Sequence, residues 1–241
     1  MPAGGAKPRG AALRLCGEVV SLKVKVLYED NHIIAVIKPF NMPSQADATG
    51  DMDMLTQLKE YIRVKYEKPG EVYLGLVHRL DRPAGGVMVF ARTSKAAARL
   101  SEMIRKGEVE KTYLAVLQKK PAEDNGELAG YMIKDEKTNI SRMAGEQEPG
   151  AKQARLAYEV LSCKDGLTLA KIRLFTGRSH QIRVQMASIG CPLAGDMRYG
   201  KGEKQQLALW ALSLSFIHPV RRESITIQAD PPVAHPWSLF F

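Results

Sequence analysis

Cysteine is scarce: Cys16, Cys163 and Cys191 are widely spaced and odd in number among 241 residues. Neither a CxxC pair nor an HExxH stretch occurs. A disulfide framework and a structural zinc are therefore not expected, and the thiols read as reduced residues of a cytoplasmic protein. No metal is assigned. Aromatic residues make up only 7% of the chain. No apolar run approaches the roughly 20 residues needed to cross a bilayer, and no signal-type apolar segment opens the sequence. Acids are also in deficit: 26 Asp and Glu stand against 35 Lys and Arg, a formal charge of +9. That surplus favours a polyanionic partner, nucleic acid before anionic membrane. No amphipathic basic helix supports a membrane-surface role. With 45% hydrophobic and 25% charged residues, the composition excludes a largely disordered chain.

Residues 1–17 are rich in Ala, Gly and Pro and basic at Lys7, Arg9 and Arg14, which predicts a flexible basic tail. A single domain is expected over residues 18–241. Within it, β-branched runs at Val24–Tyr28 and Ile33–Ile37 predict a hairpin. Leu55, Leu58, Ile62 and Tyr66 mark a helix over 54–66. Val87–Ala91 reads as a strand, and Ser94 as the N-cap of a helix stopped by Gly107. Lys111–Leu117 alternates, placing Tyr113, Ala115 and Leu117 on one face. Residues 119–126 and 134–150 read as loops or the ends of long hairpins. Asp165-Gly166 joins two strands, 155–162 and 167–174. A helix is predicted over Ser179–Ile189, with Ile182, Met186 and Ile189 as its apolar stripe and Gly190 after its end. Strands follow near 207–216 and 224–229. The fold class is α+β, with a mixed, largely antiparallel central sheet and flanking helices.

Two segments carry more functional side chains than their local structure needs. Residues 76–86 hold His78, Arg79, Asp81 and Arg82 in a turn that Asp, Pro and Gly could form alone. Residue types allow either a salt-bridged loop or a functional one. Residues 177–183 hold Arg178, His180 and Arg183 at a helix start, where backbone N–H groups and arginines can receive a phosphate or carboxylate. His180 and Arg183 are three apart and are predicted to share a helical face. The sequence His78-Arg79-Leu80-Asp81 faintly echoes a kinase catalytic loop, but Leu80 intervenes, and no Gly-rich loop or Asp-Phe-Gly is present. Gly200-Lys201 is followed by Gly202, so the Walker phosphate loop is absent too.

In order along the chain, these segments resemble the RluA-like family of RNA pseudouridine synthases. His78-Arg79-Leu80-Asp81-Arg82-Pro83, closed by Gly86, is similar to that family's central signature. Lys111, Tyr113 and Ala115 match its second motif, and residues 177–184 its third. Lys38-Pro39, Gly195-Asp196 with Tyr199-Gly200, and Leu214-Ser215-Phe216 with His218-Pro219 fall in the family's order. The likeness runs from about Tyr28 to the C-terminus. Ala84 and Gly85 replace the usual Thr and Ser, and Gln45, Gln185 and Cys191 stand where histidines are frequent. These departures bear on substrate choice. The family's N-terminal RNA-binding module is not expected here.

The resemblance implies a pseudouridine synthase catalytic fold and an isomerase that turns specific uridines of tRNA or rRNA into pseudouridine, without a cofactor. It implies catalytic roles for Asp81, Tyr113 and Arg183. Asp81 acts as nucleophile or as base, and Arg183 is its partner, with a bidentate pair possible between the two planar groups. Tyr113 stacks on the base and is placed to move a proton. Extruding the nucleotide costs a few kcal/mol, of which a stacking ring returns about 1–3 kcal/mol. His78, Arg79, Arg82, Arg178 and His180 are the expected RNA contacts. The protein is expected to act as a monomer on RNA, with no membrane partner. A non-catalytic RNA-binding or RNA-chaperone protein on the same scaffold explains the charge equally well, but gains nothing from a carboxylate among phosphate contacts.

Overall fold

The computed structural model describes residues 24–200 and 205–241, together with the backbone of Leu13–Leu15 and Glu18–Val20. Apart from Leu13–Leu15, the predicted tail lies outside the described residues. β1 (Leu13–Leu15) and β2 (Glu18–Val20) pair as an antiparallel ribbon. β3 (Lys25–Glu29) and β4 (Ile33–Lys38) form the expected hairpin, whose turn closes on Asp30: its carboxylate accepts the N–H groups of His32 and Ile33, both at 2.8 Å.

α1 (Met54–Lys65) starts at Asp53, which accepts the Thr56 N–H, and buries Met54, Leu58 and Ile62. Of the predicted stripe, Tyr66 is exposed, because it falls just past the helix end. β5 (Gly75–Leu76) is a two-residue fragment, and β6 (Gly85–Ala91) is buried along its whole length. α2 (Ser94–Lys106) is capped by Thr93, whose hydroxyl accepts the Ala96 N–H, so the cap lies one residue before the predicted Ser94. β7 (Glu110–Leu117) turns Tyr113, Ala115 and Leu117 to one core and Leu114 and Val116 to another. This is why the strand alternates and yet is apolar on both faces.

β8 (Asn125–Asp135) and β9 (Ile140–Ala144) form a long hairpin from the charged stretch. β10 (Lys152–Lys164) and β11 (Leu167–Leu174) meet at Asp165-Gly166, both of positive φ, as expected of a tight hairpin. α3 covers Gln181–Ser188 only. Ser179 and His180 precede it, and Ile189, predicted to be on its buried stripe, is an exposed C-cap. The difference has a physical cause. His180, at a left-handed φ of 55°, keeps the residues before it out of α3. Ile182 and Met186 of the predicted stripe do join the core, beside Gln181 donating to the Arg155 carbonyl and Gln185 to the Leu128 carbonyl, both at 3.1 Å.

β12 (Leu209–Ile217) and β13 (Ser224–Gln228) complete an eleven-stranded sheet of order β3-β4-β6-β12-β7-β11-β10-β8-β9, with β5 beside β6 and β13 beside β12. Every pairing is antiparallel except β6 with β12, which touch at Gly85–Trp210 and Gly86–Ala211. Gly86 has φ 121°, and a Cβ there would collide with the Ala211 backbone, so this close approach requires glycine. The pairing is short. β12 leaves β6, and β5 takes its place at Phe90 and Ala91. The site is built at this break in the sheet.

Candidate active site

Asp81 sits in the turn between β5 and β6, closed by the Ala84 N–H donating to the Asp81 carbonyl at 3.0 Å. Distant side chains fix the neighbouring carbonyls: Ser44 Oγ donates to Leu80 O (3.0 Å), Lys38 Nζ to Arg82 O (3.0 Å) and Gln206 Nε2 to Pro83 O (2.6 Å). Lys38 is wholly buried at the end of β4 and donates also to Pro39 O and Met42 O. Burial pushes its ammonium down to about 7, against the pull of Asp81.

The Asp81 side chain remains 23% exposed, and its Oδ2 lies 3.5 Å from Arg183 Nη1 and 3.9 Å from His180 Nε2. The bidentate pair expected between Arg183 and Asp81 is not formed. The fork of Arg183 goes to Asp196 instead, Nε to Oδ2 and Nη2 to Oδ1, both at 2.8 Å. The cause is placement: Asp196 lies against the Nε–Nη2 edge, so Asp81 meets only Nη1. Burial pushes the Asp196 carboxyl up, but Arg183 and the N–H groups of Tyr199 and Arg198 outweigh it and hold it below the usual carboxylate range. Gly195, of φ 73°, lets the chain pass the Gln206 carbonyl, where a Cβ would collide.

Tyr113 rises from β7 beside this group and is buried. Burial and then the Asp81 charge push its phenol up, so it is protonated at neutral pH. His180 is the N-cap of α3 in the left-handed region, φ 55°. It is not on the helical face predicted for it, yet the cap still turns its ring to Asp81. Burial pushes the imidazole down, against the pull of Asp81. An open cleft of about 580 Å³ adjoins these groups, lined among others by Arg82, Asn139, His180, Arg183, Met197 and Arg198.

The remaining candidates are not all gathered there. His78 is half-buried, and its Nε2 accepts the Val89 N–H at 3.0 Å. Val89 lies where β6 has lost β12, so the ring replaces a missing strand partner and faces a small apolar cavity with Leu100 and Phe216. Burial, then Lys111, push its imidazole down to about 4. Arg79 is exposed and makes no ion pair among the described residues. Arg82 is latched to Asp47, Thr49 and Asp51. Arg178 is exposed, its Nε donating to the Gln153 carbonyl at 2.8 Å. Sequence reasoning gave no role to Lys38, Asp196 or Tyr199. The only signal was their place in the ordered motifs Lys38-Pro39, Gly195-Asp196 and Tyr199-Gly200. Among the described residues no cluster of three His, Cys, Asp or Glu could hold a metal, and no helix is long and apolar enough to cross a membrane.

Residues 32–188 match the family model for RNA pseudouridylate synthase. This chain belongs to that family. It is an isomerase of the RluA-like kind, as its relatives show. It is 30% identical over 232 residues to ribosomal large subunit pseudouridine synthase D of Zymomonas mobilis, covering 89% of this chain and 71% of the relative. It is 30% identical over 230 residues to tRNA pseudouridine synthase C of Vibrio cholerae, covering 86% and 90%. Human RNA pseudouridylate synthase domain containing 4 shares the fold, with a TM-score of 0.73 at 22% identity over 86% of this chain and 88% of that one. The matched span of this pseudouridine synthase holds Asp81, Tyr113 and Arg183, whereas Asp196 and Tyr199 lie beyond it.

Proposed function

We propose that this synthase isomerises specific uridines of tRNA or ribosomal RNA, taking the flipped-out nucleotide into the cleft beside Asp81. The observation that carries the reading is Asp81 at 3.5 Å from Arg183, at the margin of an open, arginine-lined cleft and close to a buried tyrosine. The reaction breaks N1–C1′, turns the base and joins C5 to C1′. C5 gives up its proton and N1 gains one, so atoms balance with no added reagent. As nucleophile or as base, Asp81 needs a fixed carboxylate with one accessible oxygen, and the pinned turn supports that. Arg183 steadies the anion through Nη1 while its own position is set by Asp196. Tyr113 presents its ring to the unstacked base, a contact worth about 1–3 kcal/mol.

The exposed guanidinium groups of Arg79 and Arg178, and Arg82 once released, meet phosphates. Pseudouridine has the mass of uridine, so the test is tritium release from RNA labelled at uridine C5. Total tRNA and rRNA from cells lacking the protein should release tritium, and Asp81→Asn should bind RNA and release none. Turnover by that variant would remove Asp81 from the mechanism. No release from any RNA by the wild type would leave a binding protein.

A further inference from the structure

Beside Asp81, Arg183 and Tyr113 runs a half-buried hydrogen-bond chain with no part in the chemistry so far. The backbone N–H of Ser141, on β9, donates to the Tyr199 hydroxyl at 2.9 Å. That hydroxyl lies 2.7 Å from His180 Nδ1. Since an N–H can only donate, Ser141 fills a lone pair of the Tyr199 oxygen, and the hydroxyl's own hydrogen is free to point at the imidazole. Nδ1 is then the acceptor, and the ring's hydrogen sits on Nε2, the atom 3.9 Å from Asp81 Oδ2. The opposite tautomer would turn a nitrogen lone pair toward a carboxylate oxygen, which is repulsive. Tyr199 is held at two points: its backbone N–H donates to Asp196 Oδ1 at 3.1 Å, and the Arg183 guanidinium lies 5.0 Å from its ring centre.

We propose that Tyr199 is a positioning residue of this synthase, whose hydroxyl holds His180 in the tautomer that presents Nε2–H to Asp81 and ties that arrangement to the β8–β9 hairpin. This rests on the reading of Asp81 as the reacting carboxylate. His180 then turns an N–H toward Oδ2, at 3.9 Å, without adding a charge, leaving Arg183 as the cation at that carboxylate. The hairpin joins in through two contacts: Ser141 to Tyr199, and Arg198 Nη1 to the Asn139 carbonyl at 2.6 Å. Asn139 and Arg198 both line the cleft, so RNA that moves the hairpin also acts on the group orienting His180. The charged and titratable groups facing His180 are Asp81 from the turn, Arg183 from α3, and Asp196, Arg198 and Tyr199 from the segment after it.

Imidazole nitrogen NMR on the intact protein tests this, with the His180 signals assigned by their loss in His180→Gln. In the wild type Nε2 should be protonated and Nδ1 bare. Tyr199→Phe keeps the ring and removes the hydroxyl. It should leave RNA affinity unchanged, lower the single-turnover rate about 10–100-fold, and move the acid limb of the rate profile to higher pH, because Nδ1 is freed to take a proton. A wild-type spectrum with the proton on Nδ1 overturns the proposal, as does a Tyr199→Phe enzyme of wild-type rate and pH profile. Should that variant fail to fold, the wild-type spectrum decides. An inactive Asp81→Asn beside a normal Tyr199→Phe sinks only this inference, whereas an active Asp81→Asn sinks the reading beneath it.

Discussion

Asp196→Asn isolates the pair that sets Arg183. The substitution keeps the shape and one oxygen for the Arg198 and Tyr199 N–H groups, but removes the charge opposite a guanidinium whose side chain is only 7% exposed. Breaking a buried ion pair from one side costs about 3–5 kcal/mol. Asp81 remains 3.5 Å from Arg183 as a second anion, so about 3 kcal/mol is expected. At about 2–4 °C per kcal/mol for a chain of this size, Tm should fall by about 6–12 °C. Arg183→Met, which strands the Asp196 carboxylate, should cost a similar amount. The double variant, with no charge left to bury, should be more stable than either single one. Urea unfolding followed through the buried Trp210 and Trp237 reads all three.

The sign with pH follows from the depressed Asp196 pKa. The pair's contribution is complete above the ordinary carboxylate value of about 3.9 and is lost as pH falls through the lower folded value. The gap between wild type and Asp196→Asn should therefore close in acid. A loss below about 1 kcal/mol, the range of exposed pairs, or a double variant that simply sums the two single losses, would refute the assignment of Asp196 as the partner of Arg183.

Two further outcomes are expected. Asp47→Asn with Asp51→Asn should free Arg82 from its latch and tighten RNA binding several-fold at low salt, an advantage lost at high salt; filter binding across a salt series checks it. Tyr113→Phe should keep RNA affinity and lower tritium release, while Tyr113→Ala should also weaken binding by the about 1–3 kcal/mol of a lost stacking ring.

Sequence patterns revealed elements wherever one local signal fixed them. The Asp165-Gly166 turn set the β10–β11 hairpin, and the spacing of Leu58 and Ile62 set α1. α3 starts later than its apolar period predicts because His180 takes a left-handed conformation, which no periodicity records, although Ile182 and Met186 of that period do reach the core. β8 was hidden for the opposite reason: it alternates between exposed and half-buried positions amid charge. At the site, the family resemblance singles out Asp81, Tyr113 and Arg183, which lie close together in the fold, whereas the alternating pattern alone reads Tyr113 as a core residue. It did not reveal which carboxylate takes the Arg183 fork, because Asp81 and Asp196 lie on opposite sides of that residue in sequence and both reach it only through the tertiary fold. His78 illustrates the same limit. It is two residues from Leu80 and three from Asp81, but its ring answers a backbone N–H exposed by the parting of two strands.

The break in the sheet accounts for the division of labour around it. Where β12 leaves β6, strand pairing cannot satisfy the backbone, and an unpaired buried N–H or C=O costs about as much as a lost hydrogen bond. There His78 takes the Val89 N–H of β6, while Lys38, Ser44 and Gln206 take the carbonyls of Arg82, Leu80 and Pro83 in the turn between β5 and β6. Each such bond removes a freedom of the turn, so the Asp81 carboxylate is held by the backbone beneath it and its side chain still stays 23% exposed. The opposite condition holds at the rim. Among the described residues Arg79 has no ion-pair partner, Arg178 gives one bond to a carbonyl, and the Arg82 guanidinium is tied only to side chains of an exposed loop. Chemistry on one carbon needs the rigid group, whereas phosphates spaced along a folded RNA need arginines free to reach them. A sheet that opens at its centre supplies both, because the turn that carries the acid enters at the opening and is pinned there by Lys38, Ser44 and Gln206.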